Sequence, residues 1–199
     1  KVAINLANYY SSNYDVTILV LNQSGPYKKQ LGENIELINL STRARYSLIK
    51  TYIAFKKIQP DIIISILREC NIIAGLTLIF RPVKSVNVVF SEQNPVDNLD
   101  TTPFYYRYFI LVLMKISYNC ANVITANSRD TQNSIANYIG YKNKFKVIGN
   151  PITTEKTEFL CDQQINHKWL NNDKYQTVLN VGRLHHQKDQ LNLLKVFIR

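Results

Sequence analysis

Short, unbroken apolar runs recur along this chain, and a segment of helical period follows nearly every one. Residues 15–21 (DVTILVL) and 62–67 (IIISIL) are rich in β-branched side chains and almost wholly apolar. That is the pattern of strands covered on both faces, because a strand open to water on one side alternates apolar with polar. A second short strand is expected at 35–40, and Val2, Ile4, Leu6 and Ala7 read as part of an opening helix. Leu48, Ile49, Tyr52, Ile53 and Phe55 then repeat at helical spacing, with Lys50, Lys56 and Lys57 on the other side. Gln59-Pro60-Asp61 ends that helix and leads directly into the isoleucine run. The cycle continues with a helix at 71–80, a strand at 85–90, a loop at 91–102, a helix at 103–118 and strands at 123–126 and 146–148. Ser128 is placed to cap the helix before the last strand, and Gly140 to end it. Such alternation predicts an α/β fold: a doubly wound parallel sheet that binds ligands at the carboxyl ends of its strands.

The rhythm lapses over 152–175, which is polar, aperiodic and reads as an interdomain connection. It resumes with a strand at 177–181, then Gly182 and a helix from Lys188. The expected organisation is a first domain at 1–151 and the start of a second at 176–199. The chain opens at Lys1 without an initiator Met and stops at Arg199 inside a helical pattern, so both ends read as cut edges.

Charge and cysteine content narrow the classes of function. The net charge is +10. Residues 1–151 carry 17 Lys and Arg against 9 Asp and Glu, so most of the excess lies in the first domain. A basic domain suits nucleic acid, an anionic lipid surface or a phosphorylated ligand. The cations stand singly or in pairs such as Lys28-Lys29, with no arginine-rich run, which argues against a nucleic-acid binder. Cys70, Cys120 and Cys161 have neither disulfide-framework nor zinc-site spacing and fit a reducing, cytoplasmic setting. The longest apolar run, 109–114, is far short of the roughly 20 residues that span a bilayer. The aromatic-basic stretch Pro103-Phe104-Tyr105-Tyr106-Arg107-Tyr108-Phe109 suits either a membrane surface or a helix packed on the sheet with its tyrosine edges exposed.

The densest chemistry lies in 178–194, VLNVGRLHHQKDQLNLL. A strand delivers the chain to Gly182, where the missing Cβ lets a ligand approach the backbone. Arg183 and Lys188 then flank a helix start. Two cations beside helix N–H donors make a site for a pyrophosphate, Arg through its fork and Lys as a point charge. Spacing alone equally allows two solvated surface cations. Glu92 and Asn94, past the carboxyl end of a strand, suit either ligand binding or loop capping. His185 and His186 have no third ligand nearby and read as solvated or at a pocket rim, not as a metal site.

The segment Gly182-Arg183-Leu184-His185-His186-Gln187-Lys188-Asp189 resembles the donor-site motif of glycosyltransferase family 4. Further likenesses follow in the family's order: Asn5-Leu6-Ala7-Asn8, Pro60-Asp61-Ile62-Ile63-Ile64-Ser65, Ser91-Glu92-Gln93-Asn94-Pro95, Val123-Ile124-Thr125-Ala126-Asn127-Ser128 and Val147-Ile148-Gly149-Asn150-Pro151-Ile152. The resemblance implies a GT-B enzyme of two Rossmann-like domains facing across a cleft, truncated here at both ends. A Gly-rich first loop is expected before Lys1 and paired donor-side glutamates beyond Arg199. It further implies retaining transfer of a sugar, hexose-type, from a nucleotide diphosphate sugar to a glycan or lipid-linked acceptor, in bacterial cell-surface polysaccharide synthesis (lipopolysaccharide or capsule). Arg183 and Lys188 would carry the catalytic contact with the diphosphate. Gly182, Glu92, Gln93 and Asn94 would bind substrate, with no metal or other cofactor. Many members carry a His in the acceptor loop, but this chain has none before His167, and Gln93 takes that place. A cytoplasmic setting with peripheral contact at an anionic membrane face fits the charge. A sugar-nucleotide epimerase of the same two-domain fold, or a basic non-catalytic binding module, are the rival expectations. The piece 1–199 is expected to be inactive alone.

Overall fold

A computed structural model describes residues 1–22, 28–96, 102–150, 159–170, 174, 176–184 and 188–197. The chain divides into two compact units, Lys1–Ile152 and Thr153–Arg199.

In the first unit, α1 (Val2–Tyr10), β1 (Thr17–Val20), β2 (Glu36–Asn39) and α2 (Leu48–Ile58) lead to β3 (Ile62–Ile66). Three further pairs follow: α3 (Arg68–Ile79) and β4 (Asn87–Glu92), α4 (Phe104–Ser117) and β5 (Val123–Ala126), α5 (Arg129–Ile139) and β6 (Phe145–Val147). Every pairing is parallel. β1 pairs with β2 in one sheet, and β3-β4-β5-β6 run in sequence order in a second. Strands that step always in one direction need right-handed crossovers, which put α3, α4 and α5 on a single face of the sheet. α2, α3, α4 and α5 accordingly pack side by side, each against the next.

The local signals in the sequence operate as expected. Gln59 turns left-handed (φ 51°) to end α2 just before Pro60. Thr131 donates its backbone N–H to the Ser128 side chain at 3.1 Å, and Gly140 ends α5 at φ 82°. The chain belongs to the α/β class with parallel sheets.

One expectation changes. The isoleucine run has the composition of a strand covered on both faces, but β3 alternates. Ile63 and Ser65 are buried under the helices, whereas Ile62 is 57% and Ile64 44% exposed. α3, α4 and α5, with α2 beside α3, stand on one face of this sheet, and they decide which parity is covered. The same parity buries Val88, Phe90 and Glu92 on β4 and Ile124 and Ala126 on β5. Together with Ile72, Met114, Tyr118, Ile135 and Ile139 these apolar side chains form the core. α3 and α4 meet at Gly75, where an added Cβ would stand 2.4 Å from the Ser117 carbonyl oxygen.

In the second unit the described residues contain a helix over Gln190–Phe197. The strand expected at 177–181 does not form. These residues belong to no ladder, and Val178, Leu179 and Val181 are 58%, 76% and 84% exposed. A strand exists only by pairing, and no neighbour lies beside them among the described residues. Residues 22–26, whose Asn-Gln-Ser-Gly-Pro composition reads as a turn, part of the loop at 91–102, much of the connection at 152–175, and His185, His186 and Gln187 lie wholly or partly outside the described residues.

Candidate functional site

Two groups of side chains correspond to the sequence-derived candidates, one in each unit.

The first is the turn that follows β4. β4 runs two residues beyond its expected end, so Glu92 belongs to the strand and not to the loop. It shares the inward parity of Val88 and Phe90 and is 1% exposed. Tyr118, itself fully buried in the turn after α4, donates its hydroxyl to Glu92 Oε1. Asn71 Nδ2, from the first turn of α3, donates to the same oxygen at 2.8 Å. Burial pushes the Glu92 carboxyl above its usual range. The two hydrogen bonds and the nearby Arg68 charge pull the other way, and Glu69 adds to the rise. Burial likewise drives the Tyr118 hydroxyl well above its ordinary value, and the Glu92 charge reinforces it. The ring of Tyr118 meets Phe90 edge-on, with centroids 5.1 Å apart.

Gln93 is half-buried and donates from Nε2 to Ser91 Oγ at 2.9 Å, while Asn94 is exposed. Behind them stands a residue that sequence reasoning does not select. Arg68, the first residue of α3, is only 8% exposed, and its Nη2 donates to the carbonyls of Asn94 (3.2 Å) and Pro95 (2.9 Å). Leu67 before it adopts φ 83° and ψ 142°, a conformation costly for a residue with a Cβ, roughly 1–3 kcal/mol. One signal was available: Arg68 is a charge set between two apolar runs, two positions past a strand end, where this fold gathers ligands. Asn71 and Tyr118 carried no comparable signal.

The second group is Gly182, Arg183 and Lys188, all exposed. The Lys188 stem lies over Gly182, for an added Cβ there would sit 3.5 Å from Lys188 Cγ. Gln190 Nε2 donates to the Arg183 carbonyl at 2.8 Å, tying the glycine turn to the following helix. Asp189 stands at φ 48°, and its carbonyl accepts from the amides of Asn192 and Leu193. Lys188 thus lies against a Cβ-free position shortly before a helix, with Arg183 next to that glycine in sequence, residue types suited to a phosphorylated ligand.

Other features of the first unit also bear on partners. Phe104 (81% exposed), Tyr105 (75%), Tyr108 and Phe109 line one side of α4 in solvent. Arg107 instead donates to the Tyr138 hydroxyl at 2.6 Å. Among the described residues, no helix is long and apolar enough to cross a membrane.

Comparison with known proteins bears on the fold and the family. The crystal structure of Anabaena HepE in complex with UDP and glucose shares the fold, with a TM-score of 0.57 at 14% sequence identity. That match covers 78% of this chain but 43% of the HepE chain, so the present chain spans less than half the length of that relative. No curated protein matches. Residues 1–156, which take in the first unit with its parallel sheets and the Glu92–Asn94 turn, match one family model along their length, and the chain belongs to Glycosyltransferase Family 4.

Proposed function

We propose that the full-length protein carrying this chain is a retaining glycosyltransferase. It transfers a hexose-type sugar from a nucleotide diphosphate sugar to a glycan or lipid-linked acceptor in cell-surface polysaccharide synthesis. Family membership over residues 1–156 is the observation that carries this reading. The Lys188 stem against Gly182, with Arg183 next in sequence, supports it, as does the presence of UDP and glucose in the HepE structure of the same fold.

Arg183 and Lys188 meet the donor diphosphate, and Gly182 lets it approach the main chain. As the bond between the anomeric carbon and the phosphate oxygen breaks, negative charge grows on the departing nucleoside diphosphate, and the two cations stabilise it. An acceptor hydroxyl oxygen bonds to the anomeric carbon on the same face, and its proton passes to the departing diphosphate oxygen. No protein nucleophile and no metal enter the scheme. The turn of Gln93 and Asn94 serves the acceptor, presenting neutral amides to hydroxyl groups, while Glu92, expected to bind substrate, is a core residue beneath the turn. The basic first unit and the aromatic side of α4 suit peripheral contact with an anionic membrane, where a lipid-linked acceptor would reside.

The test is the kinetics of Arg183→Ala, Arg183→Lys and Lys188→Ala in the full-length protein, with binding of nucleoside diphosphate and of free nucleoside. A lost charged contact with the diphosphate costs roughly 2–4 kcal/mol, or about 30- to 1000-fold in rate. Arg183→Lys keeps the charge but loses the fork, and is impaired as well. Diphosphate affinity falls while nucleoside affinity holds. Unchanged rate and diphosphate affinity in all three variants would refute the assignment.

A further inference from the structure

The turn after β4 is held by its backbone to a degree that its length does not require. Asn127 uses its backbone N–H to hold the Glu92 carbonyl (3.3 Å) and its side-chain Nδ2 to hold the Gln93 carbonyl (3.0 Å). Arg68 holds the next two carbonyls, those of Asn94 and Pro95. The Val96 N–H donates to Ser134 Oγ at 2.9 Å, and Val96 itself is fully buried. Four successive carbonyls and the following amide are therefore tied down from α3, the end of β5 and α5, while the Asn94 side chain remains in solvent.

Arg68 is the costly member of this set. It is a cation nine-tenths buried, at the amino end of α3, where the helix dipole repels positive charge. Its Nε is buried without a hydrogen-bond partner, and it follows a residue strained at φ 83°. A chain selected for stability alone would place an apolar side chain here, since burying an imperfectly paired charge works against folding. What the guanidinium supplies is geometric: one terminal nitrogen bridging two adjacent carbonyls of the turn. An ammonium on a flexible stem reproduces that bridge poorly.

We propose that Arg68 is a positioning residue that fixes the Gln93–Asn94–Pro95 turn, so that the Gln93 and Asn94 amides stand ready for the hydroxyl groups of a carbohydrate acceptor. This rests on the glycosyltransferase reading given above. It assigns Arg68 to acceptor recognition and not to the donor, and it makes Arg68 act through the turn without touching substrate. Preset hydrogen-bonding groups gain affinity because less freedom is lost on binding.

The experiment compares Arg68→Met and Arg68→Lys with wild type in the full-length protein. Amide hydrogen exchange at 91–96 is measured together with KM for acceptor, KM for nucleotide sugar, and kcat. In Arg68→Met, exchange over 93–96 accelerates and acceptor KM rises about tenfold or more, while donor KM stays within about twofold, as the loss of hydrogen bonds to a charged group predicts. Arg68→Lys falls between, and serves as the readout if Arg68→Met does not fold. General weakening of the domain would instead speed exchange across the whole β3–β6 sheet and move both KM values together, and that result overturns the proposal. Unchanged exchange at 93–96, or faster exchange there with unchanged acceptor KM, overturns it equally. Absence of transfer by the wild-type protein fails the glycosyltransferase reading itself. Normal wild-type transfer with an unaltered Arg68→Met profile fails this inference alone.

Discussion

Replacing Gly75 with alanine sets two effects against each other. By helix propensity the change is favourable, since alanine in a helix interior is better than glycine by about 0.8–1 kcal/mol. By packing it is not. An added Cβ would stand 2.4 Å from the Ser117 carbonyl oxygen, 2.7 Å from its Cβ and 2.8 Å from its carbonyl carbon. Carbon and carbonyl oxygen settle at about 3.3–3.6 Å, so α3 and α4 must part by about 1 Å. The opposing atoms are mostly backbone and cannot rotate aside, which places the cost near the upper end of the overpacking range, about 3 kcal/mol. The net expectation is a loss of about 2 kcal/mol, and at about 2–4 °C per kcal/mol a fall in Tm of about 4–8 °C. Thermal melts followed by far-UV circular dichroism measure it. Gly32→Ala is the control, because its added Cβ would meet Asn8 Oδ1 and Ile35 Cδ1 at ordinary distances of 3.5 and 3.7 Å. Asn71 lies one turn before Gly75 and Tyr118 directly follows Ser117, so the same separation loosens both hydrogen bonds to Glu92. A Tm for Gly75→Ala equal to or above that of wild type would refute the packing argument and show that helix propensity outweighs the clash.

Two further expectations concern Glu92 and the surface of the first unit. Burial raises the Glu92 pKa in the folded state above its unfolded value of about 4.3, so the native protein keeps this proton longer. Its contribution to stability is therefore fullest below that value and is lost as pH rises through the folded pKa. Glu92→Gln mimics the neutral acid and removes the slope; melts from acid to neutral pH check this, and parallel wild-type and variant curves contradict it. If the basic charge of the first unit and the exposed aromatics of α4 meet a membrane, the full-length protein co-sediments with anionic vesicles and is released as salt shortens the screening length. Equal sedimentation with neutral vesicles, or none with either, removes the membrane from the account.

What the sequence determined alone was whatever depends on near neighbours along the chain. Ser128 and Gly140 bound α5 because capping needs only the side chain and the turn beside it. Pro60 after Gln59 separates α2 from β3 for the same local reason. The parallel α/β class followed from the repeated alternation, and the family from the order of short motifs. Tertiary structure decided matters that turn on what lies across the fold. Glu92 reads as a polar residue of a loop, yet two more residues of strand ladder and a layer of helices over one parity make it a core residue. Residues 177–181 have a strand's composition, but composition supplies no partner, and without a ladder they remain exposed. Gly75 carries no mark in sequence of the backbone that passes against it. Arg68 could be noticed as a charge among apolar residues, but its bond to a turn more than twenty residues away exists only once β3 and β4 lie side by side.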